Sequence, residues 1–200
     1  MASKIGIWNM ALGHLGVGKE VAAADERSAE ASACRRYWEQ VVDEALGDYP
    51  WTFTRKFAAL GLVEEDPTDE WAYSYRVPSD CLRVRRVMSD ARQDTADTAI
   101  PFLIGQDDTG ALLYTDQADA EVEYTYRVED VSRFPADFVA ALSLLLAVYI
   151  APRVTAGDQF GLRKDAAQLY QRAIGKAQVN DAMHGRPDQE PMSEFERARQ

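Results

Sequence analysis

Apolar residues near the start of the chain recur at three- and four-residue spacing: Ile5, Trp8, Leu12 and Leu15. That spacing predicts one face of a short helix, with Ser3 placed to cap it. Gly13, Gly16 and Gly18 break the pattern. A second stripe, Ala33, Cys34, Tyr37, Trp38, Val41 and Ala45, predicts a longer helix. Asp25 or Ser28 supplies its cap, and Gly47 and Pro50 end it. From Trp71 the period changes to two. Trp71, Tyr73, Tyr75 and Val77 alternate with Ala72, Ser74 and Arg76, the signature of a half-buried strand.

Pro78-Ser79-Asp80 predicts a turn into a strand containing Leu82 and Val84. The alternation slips there, because Val87 falls out of phase, and a bulge at Arg85–Arg86 accounts for the slip. Residues 89–99 read as an exposed loop. Ile100–Ile104, Ala111–Thr115 and Glu121–Val128 read as further strands, with Asp107-Asp108-Thr109-Gly110 as a hairpin turn. Tyr73, Tyr75, Val84, Val122, Tyr124 and Tyr126 are expected on the covered face. Glu121, Glu123, Thr125 and Arg127 are expected on the other.

Helical character returns after Phe134, with Pro135 suited to a helix start. Phe138–Ala151 is apolar on every face, so it requires protein all around it. It is shorter than the roughly 20 residues of a bilayer span. Pro152 kinks or ends it, and Asp158 is placed to cap a last helix. The inner stripe of that helix is Leu162, Ala166, Leu169, Tyr170, Ala173, Ile174 and Ala177. Beyond Met183, Gly185, Pro187 and Pro191 oppose regular structure.

The pattern therefore predicts an α+β chain, mainly a helical bundle with an inserted small antiparallel β-sheet domain and an extended C-terminal tail. Residues 1–58 and 131–182 form the bundle, 59–130 the β-rich insertion, and 183–200 the tail.

Charge sharpens that division. The chain of 200 residues carries a formal charge of −11. Residues 59–130 hold seventeen Asp/Glu and six Arg, so the whole excess lies in the insertion and the rest is balanced. An acidic insertion is poorly suited to gripping phosphates, which argues against a nucleic acid–binding assembly factor. The aromatic run Tyr49, Trp51, Phe53 and Phe57 has two readings, a base-stacking platform or a core plug. Without a basic groove beside it, the plug is favoured. Two cysteines, Cys34 and Cys81, suit free thiols in a reducing compartment. The first residues show no apolar run of signal-peptide length, so a cytosolic product is expected.

Catalytic and metal chemistry find no pattern to rest on. His14 and His184 lie at opposite ends of the chain, without ligand partners at metal spacing. The Gly13–Gly18 region follows no strand and lacks a phosphate-loop ending. Glu64, Glu65, Asp66, Asp69 and Glu70 cluster, as do Asp107 and Asp108. Carboxylates in turn-rich segments are solvated, whereas a catalytic acid needs a raised pKa. No cofactor, metal or catalytic residue is assigned, and an interaction protein is the expectation.

Four segments then carry a resemblance: Ile7–Gly16, Asp48–Phe53, Tyr73–Arg83 and Phe134–Phe138. In this order and spacing, over most of residues 5–180, the chain resembles the phage head-to-tail adaptor family, the tail tubular protein A or gatekeeper proteins of short-tailed phages. The resemblance implies a structural connector, not an enzyme. It implies a homo-oligomeric ring, usually of twelve copies, that sits below the portal protein, extends the DNA channel and attaches the tail nozzle or next tail protein. It places the protein at the head–tail junction of the virion, in the host cytoplasm during assembly. Genomic DNA would pass without specific binding, and no membrane is involved.

Within that reading, Met192 and Phe195 in the tail are the expected portal-docking residues. Ser89, Asp90, Arg92, Gln93 and Asp94 are the expected distal tail contact. The alternative is a virion-associated peptidoglycan hydrolase, which requires a buried Asp/Glu pair facing a cleft.

Overall fold

Ser3 caps the first helix, α1 (Lys4–His14), accepting the Gly6 N–H at 3.0 Å. The computed structural model describes residues 2–88, 98–158 and 160–184. Of the two candidate caps for α2 (Ala29–Gly47), Ser28 serves, accepting the Ala31 N–H at 3.2 Å. The helix buries Ala33, Cys34, Trp38, Val41 and Ala45. Trp38 meets Trp8 of α1 edge-on, with ring centroids 6.2 Å apart.

The apolar segment forms α3 (Ala136–Val154), which packs against α1, α2 and the last helix, α4 (Leu162–His184). Within Phe138–Ala151 only Ala140 is exposed, and Val148 and Tyr149 are half-buried. By length and composition α3 is apolar enough to cross a bilayer, but here it is the shared centre of the helical layer. Its surroundings come from its own chain, so its all-round apolarity demands no further partner. Pro152 lies inside the helix, which stops two residues later at Val154. Asp158 acts as expected at the start of α4, accepting the Arg163 N–H at 3.0 Å.

The strands are β1 (Arg55–Ala59), β2 (Gly61–Thr68), β3 (Trp71–Arg76), β4 (Cys81–Val87), β5 (Leu103–Asp107), β6 (Gly110–Thr115) and β7 (Glu121–Tyr126). They make two antiparallel sheets, ordered β1-β7-β4 and β2-β3-β6-β5. This overturns the expectation of a mainly helical bundle with one small inserted sheet: among the described residues four helices stand beside seven strands, a mixed α/β fold. The difference comes from β1 and β2, which the alternation did not reveal. β2 is an edge strand with no buried face, so its sequence carries no period-two signal. β1 is short and almost wholly exposed, so it too carries no alternation.

The two sheets face each other over one small core of Tyr75, Val77, Leu113, Val87, Val122 and Tyr124. They are joined at two corners. Leu60 alone separates β1 from β2 and donates its N–H to Ala120 O at 2.9 Å, and Val87 bridges Ile100. At the first corner a single residue carries the chain from one sheet to the other. The expected slip in β4 is real: its register against β7 shifts between Val84 and Arg86. Tyr75, Val122 and Tyr124 are buried and Tyr73, Val84 and Tyr126 pack against them, as the alternation predicted, but across two sheets. The strand expected at Ile100–Ile104 instead runs Leu103–Asp107.

Candidate functional site

The Trp51–Thr54 turn joins the helical layer to the sheets. Trp51 Nε1 donates to Ala45 O at 2.9 Å, and its ring meets Phe138 edge-on at 5.1 Å. Phe53 contacts Phe134 and Phe138 at 6.1 and 5.1 Å. The aromatic run is thus a core plug rather than a stacking platform. Phe57 is the exception, exposed on β1 with the Arg55 guanidinium 4.9 Å from its ring centre.

Behind this turn lies a polar junction that the alternation did not anticipate. Glu123 and Thr125 were expected on an open face, yet both are buried. Glu123 accepts from Arg55 at 2.7 Å, Arg86 at 2.8 Å and Arg85 at 3.4 Å. Arg85 also donates to Trp51 O at 2.7 Å, Thr54 Oγ1 at 2.9 Å and Thr125 Oγ1 at 3.0 Å. Burial pushes the Glu123 carboxyl up, but its bonds to Arg86 and Arg55 outweigh that and hold it below the ordinary glutamate value. Burial likewise lowers Arg85, opposed by Glu123. The signal was present in sequence: Arg85-Arg86 in one strand, and Glu123 between Val122 and Tyr124 in another. It pairs only once the register Arg86↔Glu123 is known.

Two hollows adjoin the helical layer. The larger, of about 280 Å³, is lined by Lys4, Trp38, Glu39, Val42, Arg127 and Phe134. Three of its charges engage one another, with Glu39 2.6 Å from Arg127 and 3.5 Å from Lys4; Asp43 beside the hollow lies 2.6 Å from Arg127. The smaller, of about 110 Å³, lies at the end of α4 beside Thr52, Asn180, Asp181 and His184.

The groups that resemble catalytic machinery are engaged structurally. His14 Nε2 lies 3.1 Å from Ser143 Oγ, but that serine is buried inside α3 and donates to Ala140 O at 2.8 Å. Burial lowers the His14 pKa. Asp107 anchors its hairpin through Arg76, at 2.8 and 2.6 Å, and through the N–H groups of Thr109 and Gly110. The Arg76 contact, with those from Thr109 and Gly110, holds the Asp107 carboxyl well below the usual carboxylate range. Glu64 and Glu65 lie exposed on β2, and Asp108 is exposed in its turn. Among the described residues, no three His, Cys, Asp or Glu side chains are grouped to hold a metal ion.

Two further surfaces stand out among the described residues. The edge strand β2 exposes Leu62, Val63, Glu64 and Glu65 in succession. The outer face of α4 exposes Leu169, Arg172, Lys176, Val179 and Met183. Leu169 was expected in the buried stripe of that helix, but it lies outside it. The expected distal-tail residues Ser89, Asp90, Arg92, Gln93 and Asp94, and the expected portal-docking residues Met192 and Phe195, lie outside the described residues. No family model matches the chain, and no curated protein matches it.

Proposed function

We propose that the protein is a bacteriophage head-to-tail connector, a ring-forming adaptor that seats on the portal, extends the DNA channel and receives the next tail component. One observation carries the reading. The four segments of the resemblance, far apart in sequence, all place side chains in or against a single core. Ile7, Trp8 and Leu12 come from the first segment, Trp51 and Phe53 from the second, Leu82 from the third, and Phe134 and Phe138 from the last. Their shared order and spacing therefore have a physical cause: together they fix how the helices meet the sheets. Since a fold does not by itself imply a function, the step to a connector rests on the resemblance.

Charge supports the same reading. An acidic protein around a DNA channel repels the passing duplex rather than holding it. In this proposal Met192 and Phe195 dock on the portal, where repetition around a ring multiplies a modest contact. Ser89, Asp90, Arg92, Gln93 and Asp94 meet the distal tail. The test is genetic. Particles assembled without this protein should package DNA but lack tails and lose their genome. Tailed, infectious particles made in its absence would overturn the proposal.

A further inference from the structure

The outer face of α4 and the open edge of β2 complement each other in chemistry. Leu169, Arg172, Lys176, Val179 and Met183 follow alternating three- and four-residue spacing, so they share one helical face. All five are exposed, Val179 at 58% and Met183 at 70%. This face lies away from the buried side of the helix, formed by Ala166, Tyr170, Ile174 and Ala177. It is apolar at its ends and doubly basic in its middle.

The edge of β2 has the opposite charge and the same mixture. Leu62 (51% exposed) and Val63 are followed by Glu64 and Glu65, and β2 pairs with β3 alone among the described strands. None of Arg172, Lys176, Glu64 and Glu65 forms a salt bridge within the described residues. An open strand edge invites pairing, and proteins commonly close such an edge by laying a helix over it.

We infer that these two surfaces are the two halves of a contact between copies of this chain, with α4 of one protomer covering the β2 edge of the next. Val179 and Met183 would pack on Leu62 and Val63, while Arg172 and Lys176 face Glu64 and Glu65. Two different patches then meet, so the contact is head-to-tail and propagates. It closes into a ring if the rotation per copy divides a full turn. That closure rests on the connector reading above; the choice of surfaces rests on their own chemistry. α3 is covered within one chain, whereas the outer face of α4 is left exposed among the described residues.

The test uses charge reversal in the full-length chain. Arg172→Glu/Lys176→Glu and Glu64→Lys/Glu65→Lys each place like charges across the contact. Each variant alone, with the portal protein of the same genome, should assemble at least about ten-fold more weakly than wild type. Mixed in equal amounts, the two should assemble again, because every junction then pairs an acidic helix with a basic edge or the reverse. That recovery also shows that both variants fold. Loss of assembly should steepen with added salt in the wild type, as charge contacts are screened.

Variants that assemble as well as wild type would overturn the inference while leaving the ring intact. So would a mixture that fails to recover, as expected if α4 instead contacts the portal or the chain's own C-terminal residues. A wild-type chain that forms no oligomer even with the portal would overturn both this inference and the connector reading.

Discussion

Asp181, near the end of α4, accepts two hydrogen bonds from Thr52: one from its backbone N–H at 2.9 Å and one from its hydroxyl at 2.7 Å. The pair spans 129 positions of sequence and ties the last helix to the turn that leads into the sheets. Asp181 is buried but Thr52 is exposed, so Asp181→Ala exchanges both charge-assisted bonds for bonds to water. The expected loss is about 1–3 kcal/mol in urea unfolding. Thr52→Ala keeps the backbone bond and should lose only about 0.5–1.5 kcal/mol. Equal stability of wild type and Asp181→Ala would contradict this role.

Glu123 holds Arg85, which makes the second tie to the Trp51–Thr54 turn. Glu123→Gln leaves Arg85, whose side chain is 11% exposed, without its charge partner. Breaking a buried pair from one side costs up to about 3–5 kcal/mol. The folded carboxyl lies below its ordinary value of 4.5, so its contribution is fully present above that pH and is lost as pH falls through the folded value. Wild-type stability should therefore decline below about pH 4.5. The decline should be shallower in Glu123→Gln, as read from urea midpoints across an acid series. Parallel curves would contradict the assignment.

The two thiols should be inert in the native protein. Burial, then Glu30, pushes Cys34 up to about 12, and burial, then Asp80, pushes Cys81 up to about 11. Only the thiolate reacts quickly. Labelling with a thiol reagent at pH 8 should be slow when folded and rapid for both once urea unfolds the chain. Fast native labelling of Cys34 would show that the helical core is open there.

The positions of Leu146 and Leu169 predict opposite behaviour. Leu146 is fully buried at the centre of α3, and Leu146→Ala should cost about 2–5 kcal/mol. Leu169 is exposed on α4, and Leu169→Ala should leave monomer stability within about 0.5 kcal/mol. Thermal melts of the free chain check both. A large loss at Leu169 would place it in the core and remove it from the docking face.

Much of the local structure was legible because it rests on local chemistry. Ser3 and Ser28 precede their helices as caps, and the phase slip at Arg85 marks the bulge. The tyrosines of β3 and β7 alternate because one side of each strand faces the apolar core between the sheets, while the other side carries polar residues. What was not legible depends on neighbours. Glu64 and Glu65 look like a solvated cluster because an edge strand need bury nothing. Glu123 looks like an outward residue until the Trp51–Thr54 turn covers it and three arginines converge on it. The all-round apolar character of α3 is the same whether one chain or several surround it, and only the packing of α1, α2 and α4 decides. Leu169 fits the period of the buried stripe, yet it lies at the stripe's margin, where the helix turns toward solvent.

The connector reading makes one claim that a single experiment meets directly: the protein assembles on a portal ring. Native mass measurement of the full-length chain mixed with the portal protein of its own genome tests it. The account predicts one discrete species, a portal ring carrying a full ring of copies of this chain, with partly filled intermediates scarce. Portal and protein that remain separate at concentrations sufficient for assembly, with the chain still monomeric, would contradict it.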